Sequence, residues 1–173
     1  EYRTGRVSPS LGIWNQLKDA NRQAKEAGKR IKRFRCDSAG HQNLIFKYCD
    51  KEKIEYYISL NKSEWIRKVV DGVEEKKWSS LTGKEEKNKT REWAQREYKT
   101  REGFKLRVLI LRWRNPDPDL FDQRPYCYHV MATNNWEIDP MSWLEVHNGR
   151  MGTIEQNHKE LKGELGSNYS PSH

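Results

Sequence analysis

The sequence predicts an α/β fold, and three observations carry that reading. A short alternating run, IKRFRCD, is followed by a helical stretch and then by IEYYISL, the order and spacing of a parallel strand-helix-strand unit. Two further runs rich in β-formers, FKLRVLILRW and YCYHVMATNN, come later in the chain. Stretches with apolar residues at helical spacing lie before and after these strands.

In chain order, Ser8-Pro9-Ser10 supplies a turn and an N-cap. The helix that follows has Leu11, Trp14, Leu17, Asn21 and Ala24 near helical spacing and ends towards Gly28. IKRFRCD alternates Lys32, Phe34 and Cys36 with Ile31, Arg33 and Arg35, and the turn Asp37-Ser38-Ala39-Gly40 bounds it as a strand. Ser38 can cap a helix carrying Leu44, Ile45, Tyr48 and Cys49 on one side, after which IEYYISL is the second strand. From Asn61 to about Glu102 the chain is strongly charged, with a short helical stretch around Trp65 to Val70, and reads as an exposed insertion. FKLRVLILRW and YCYHVMATNN are antiparallel neighbours joined by RNPDPDLFDQRP, a solvent loop with three prolines and three aspartates. SWLEVHNGR begins a helical segment that breaks near Gly149 and Gly152. A final amphipathic helix runs from Ile154 to Leu165, with Ile154, Leu161 and Leu165 as its apolar stripe.

Composition narrows the class of partner. With 173 residues the chain is long enough for one domain with a real core. Lys and Arg number 33 against 25 Asp and Glu, for a formal net charge of +8, and such a balance favours a polyanionic partner. Cys36, Cys49 and Cys127 form no C-x-x-C pair, which argues against a disulfide framework and a structural zinc site. Five scattered histidines lack ligand spacing, and no phosphate loop, G-x-S-x-G elbow or dinucleotide fingerprint is present. No apolar run approaches the ~20 residues that span a bilayer, so the expected location is cytoplasmic, with no membrane partner. Trp14, Trp65, Trp113 and Trp143 fall within apolar patterns and read as core; Trp78, Trp93 and Trp136 lie in polar segments and are better placed to contact DNA.

Two places offer chemistry. Asp37 stands at the C-terminal tip of a strand, where open α/β sheets gather ligands. An Asp before Ser-Ala-Gly equally well starts a turn or caps a helix. Glu155 and Lys162 are seven positions apart, close to two helical turns, so both project from one face. With Lys159 and Glu160 between them they also read as a solvated charged helix. His147 and Arg150, just ahead, could clamp phosphates or merely flank a glycine break.

Taken together, these segments resemble the C-terminal part of a DDE transposase of bacterial insertion sequences, in the class with a Tyr-Arg-Glu-Lys signature. EYRTGRVSPS resembles the stretch after the first catalytic aspartate and KRIKRFRCDSAGHQ the second aspartate motif. YHVMATNN resembles the strand closing the insertion, and HNGRMGTIEQNHKELK the final glutamate motif. The resemblance implies a partial ribonuclease H-like core, with a β-rich insertion before the helix bearing the last catalytic glutamate. The core's first segment would span residues 1–60, the insertion 61–140, and the final catalytic helix and tail 141–173. It further implies that Asp37 and Glu155 are catalytic metal ligands for Mg²⁺ or Mn²⁺. Arg150 and Lys162 would meet DNA phosphates, with His147, Lys159, Arg33 and Arg35 beside them. His147 fills the signature's tyrosine position, and four residues separate Arg150 from Glu155 where the family has three.

The implied activity is metal-dependent strand cleavage and strand transfer at insertion-sequence ends. Carboxylates would hold two ions ~3.5–4 Å apart that activate the nucleophile and stabilise the leaving oxygen. The implied partners are transposon-end and target DNA, with a homodimer in the full-length protein, nucleoid-associated in a bacterial cytoplasm. The first aspartate of the triad is expected before Glu1, because Glu1, Asp19 and Glu26 do not end an apolar strand; the isolated chain is therefore expected to be inactive. The competing reading is a catalytically inactive remnant that binds DNA non-specifically through charge.

Overall fold

Residues 10–81, 91–100, 102–117 and 124–149 are described in the computed structural model of the chain. The chain divides into two compact units, Glu1–Trp136 and Glu137–His173. In the first unit the opening helix, α1, spans Ile13–Glu26 and buries Leu17 and Asn21. Its cap is Gly12, at φ 92°, without a side-chain hydrogen bond, where the sequence suggested a cap within Ser8-Pro9-Ser10. The backbone carbonyl of Ser10 instead accepts a hydrogen bond from Gln42 Nε2 at 3.0 Å. Asn21 is tolerated in a buried position because its amide donates to Tyr48 Oη (2.9 Å) and Glu52 Oε2 (3.0 Å).

Strand β1 (Arg33–Cys36) runs parallel to β2 (Glu55–Ser59), with helix α2 (Asn43–Glu52) between them in sequence. This is the strand-helix-strand unit that the alternating and helical patterns predict. α2 differs from expectation in its start and its face. Its N-cap is Gln42, and Ser38 begins a single 3₁₀ turn, Ser38–Gly40, capped by Asp37. Leu44 is exposed, and Phe46 joins Ile45 and Cys49 inside.

After β2 comes α3 (Glu64–Asp71), capped by Ser63 Oγ, which accepts from Ile66 N–H at 3.3 Å. β3 (Ser79–Ser80), β4 (Arg91–Lys99), β5 (Lys105–Arg114) and β6 (Tyr126–Thr133) follow. The six strands form one sheet in the order β1-β2-β6-β5-β4-β3, antiparallel at every junction except β1/β2. β5 and β6 pair antiparallel, as their sequences suggested, from Arg107↔Thr133 to Arg114↔Tyr126. One face of the sheet, including Tyr56, Ile58, Ala94, Val108, Ile110 and Val130, shares a core with Leu17 of α1, Phe46 of α2 and Ile66 of α3.

β4 overturns part of the reading of the charged stretch, whose REWAQREYK segment is a nine-residue strand laddered to β5 from Lys105 to Trp113. Its polar side chains are matched across the ladder. Gln95 accepts from Arg107 Nε at 2.9 Å, Glu92 from Arg112 Nε at 2.7 Å, and Glu97 lies 3.1 Å from Lys105. Arg112, only 5 % exposed, also makes a bidentate pair with Glu75 (2.7 and 2.8 Å) and stacks on Trp78 and Tyr126, at 4.1 and 4.5 Å from their ring centres. Trp78 is thereby committed to the fold, although its polar surroundings suggested DNA contact. Trp65 is exposed at 43 % rather than core, while Trp143 is fully buried as expected.

In the second unit, α4 spans Pro140–Asn148. Asp139 Oδ1 caps it, accepting from Met141 N–H and Ser142 N–H at 3.0 Å each, and Pro140 occupies the first helical position. A hydrogen bond from the Ser142 side chain, with the backbone bonds from Ser142 and Met141 beside it, holds the Asp139 carboxyl below the usual carboxylate range. The final helix expected from Ile154 to Leu165 lies outside the described residues. No helix among the described residues is long and apolar enough to cross a membrane.

Candidate functional site

Asp37 is where the sequence placed it, one residue past the C-terminal end of β1 and beside the parallel strand β2. Its backbone is extended (φ −71°, ψ −166°) and its side chain is exposed. Oδ1 accepts from the Ala39 N–H at 3.0 Å and from the Cys36 thiol at 3.6 Å. The turn-capping role weighed against catalysis is thus real, and it engages one oxygen. Oδ2 has no hydrogen-bond partner among the described residues. One carboxylate can therefore cap its own turn and present a hard oxygen outward.

The turn itself is braced from three sides. Gly40 lies so close to β1 that an added Cβ would sit 2.6 Å from Cys36 Cβ and 2.9 Å from its Sγ, so no larger residue fits without movement. Gln42 Nε2 donates to the carbonyls of Ala39 (2.8 Å) and Ser10 (3.0 Å), joining the turn to the start of α1. His41 Nδ1 accepts from Asn61 N–H at 3.0 Å, tying the loop after β1 to the chain leaving β2. Burial lowers the pKa of His41, which suits a neutral imidazole used as an acceptor. Sequence reading missed Gly40, His41 and Gln42 as members of the site. The Asp-Ser-Ala-Gly string marks a turn, but the partners of His41 and Gln42 are 20 and 32 residues away.

Arg33 and Arg35 occupy alternate, exposed positions of β1. Arg33 Nε donates to Glu55 Oε2 at 2.9 Å across the parallel pair, and that bond and the Glu55 charge raise its pKa. Burial works against ionisation of Glu55, yet hydrogen bonds from Tyr57, Asn135 and Arg33 outweigh it and hold its carboxyl below the ordinary range. Part of the positive charge of Arg33 is therefore already balanced. Arg35 stands opposite Tyr57 in the register. On the same sheet, Ser59 Oγ and His129 Nε2 make a long contact of 3.4 Å.

His147 lies in the last turn of α4, in the second unit. Arg150, Glu155, Lys159 and Lys162 lie outside the described residues. Among the described residues no group of three His, Cys, Asp or Glu comes together as a metal site. The only piece of the expected carboxylate set that they include is Asp37, whose oxygen chemistry suits Mg²⁺ or Mn²⁺.

A family model described as "Transposase DDE domain group 1" matches residues 1–173. No curated protein matches the chain.

Proposed function

The chain belongs to the transposase DDE domain group 1 family, an enzyme class that cleaves and transfers DNA, and we propose that it carries two of the carboxylates of the catalytic site, Asp37 and Glu155. The single observation that supports this most is Asp37 itself, set past a parallel strand with Oδ2 uncommitted among the described residues and its turn braced by Gly40. The ribonuclease H-like core and the insertion over residues 61–140 belong to the same proposal.

Asp37 and Glu155 would hold Mg²⁺ or Mn²⁺. Such an ion, when bound, supplies Lewis-acid stabilisation of charge on a reacting phosphate. The chain's own residues do the rest. The capped turn fixes the carboxylate of Asp37 against rotation, since Oδ1 is held by Ala39 N–H. Arg35 and Arg33 on β1, with Arg150, Lys159, Lys162 and His147, would orient the DNA backbone through phosphate contacts that weaken with salt. The substrates are insertion-sequence ends and target DNA of a bacterial element, the signature is of the Tyr-Arg-Glu-Lys class, and the working form is a homodimer.

The test is strand transfer of a labelled transposon-end duplex in Mg²⁺ by the protein that carries this chain, compared with its Asp37→Asn variant. The expected result is loss of product to background with DNA binding and melting temperature retained. Undiminished strand transfer by Asp37→Asn would overturn the assignment.

A further inference from the structure

β2 stops before its neighbour does. It pairs with β6 only from Tyr57↔Thr133 to Ser59↔Met131. Leu60 N–H adds one bond to the Val130 carbonyl at 2.8 Å, and the chain then leaves into α3. β6 continues back to Tyr126, laddered to β5 along its length. Residues 126–129 therefore have a strand neighbour on one side only, among the described residues. Backbone groups alternate in direction along an antiparallel strand. Those of Tyr128 and Tyr126 share the parity of Val130 and point to the side where β2 has ended.

A cavity of about 170 Å³ lies between this edge and α3. Ile66, Val70 and Val130 give it an apolar lining. Lys62 and Arg67 stand around it against one carboxylate, Asp71. The two tyrosine rings are already engaged, Tyr126 under the Arg112 guanidinium at 4.5 Å and Tyr128 beside Trp78 at 6.4 Å. The groove thus offers strand-pairing groups, an apolar lining and an excess of cations, rather than aromatic platforms for bases.

We propose that this groove binds an extended acidic peptide segment of a partner protein, which adds as a strand to the open edge of β6 beside α3. An open strand edge next to a helix is a general way to capture an extended peptide: main-chain bonds hold it, and alternate side chains enter the groove. The charge excess selects acidic residues flanking apolar ones. The reading does not rest on the catalytic assignment of Asp37.

The test uses a fluorescein-labelled Glu-Glu-Val-Ile-Val-Glu-Glu peptide with the purified chain, read by anisotropy and by amide hydrogen exchange. Saturable binding is expected, with slowed exchange of the Tyr128 amide. Of two peptides N-methylated at successive central residues, the one whose blocked amide faces β6 binds about tenfold weaker. Arg67→Glu, an exposed change on α3, also weakens binding about tenfold while leaving the melting temperature in place. The proposal is overturned if the peptide does not bind saturably, or if a Lys-Lys-Val-Ile-Val-Lys-Lys control binds as well. It is equally overturned if Tyr128 protection appears only with a single-stranded oligonucleotide, or appears without peptide as protein concentration rises, which would mean that a second copy fills the edge.

Discussion

Gly40 and Cys36 are in such close approach that a Cβ on Gly40 would fall 2.6 Å from the Cβ of Cys36. The turn that carries Asp37 is thus pressed onto the strand that precedes it. Gly40→Ala should destabilise the chain by about 1–3 kcal/mol through overpacking, seen as a lower urea midpoint with an unchanged slope. Cys36→Ala in that background removes the Sγ contact at 2.9 Å but not the Cβ contact, so it recovers only part of the loss. Full stability of Gly40→Ala would show that the turn can move away, and with it Asp37.

Arg112 joins a strand the sequence concealed to the rest of the sheet. Its guanidinium bonds both Glu75 and Glu92 and lies between two aromatic rings. Arg112→Met keeps length but loses every charge-assisted bond, and should cost about 2–3 kcal/mol in chemical denaturation. Arg112→Lys should recover little of it, because one ammonium cannot serve both carboxylates and both rings in the planar geometry of the guanidinium. A Lys variant as stable as the parent would contradict this.

Stability should fall on mild acidification. Burial holds His41 and His129 below the ordinary value of 6.5, with the Lys62 charge adding to the effect at His129. Between the lowered folded values and 6.5 the unfolded chain binds more protons, so stability rises with pH through that window and levels off above it. Melting temperatures taken from about pH 7 to about pH 5 should decline, and less steeply in His129→Gln. A flat profile over that range would rule out buried neutral imidazoles.

The thiol of Cys49 is fully buried in α2, and burial pushes its pKa up to about 12. Cys36 and Cys127 are only partly buried. Under native conditions iodoacetamide should label Cys36 and Cys127 before Cys49, which becomes reactive at the rate of global unfolding. Early labelling of Cys49, read by peptide mass mapping, would mean that α2 opens locally.

Much of the fold was legible in the sequence wherever one residue pattern served one purpose. The alternation around Phe34 and Cys36, the β-rich IEYYISL and the two later apolar strands each declare themselves within a short window. β4 does not, since Glu92, Gln95 and Glu97 are stabilised by Arg112, Arg107 and Lys105 from the next strand, and a window of polar residues looks like loop without those partners. The same limit applies to the site. Asp37 could be placed from the strand end alone, whereas the bonds of His41 to Asn61 and of Gln42 to Ser10 are long-range and leave no local trace.

We propose that Asp37 holds a divalent ion together with Glu155. Fe²⁺ substituted for Mg²⁺, with ascorbate and peroxide, generates hydroxyl radicals that cut a polypeptide beside its metal ligands, and the fragments are read by mass spectrometry. The account predicts cuts next to Asp37 and next to Glu155, both lost in Asp37→Asn at unchanged melting temperature. Cuts at neither position, or the same cuts in Asp37→Asn, would contradict it.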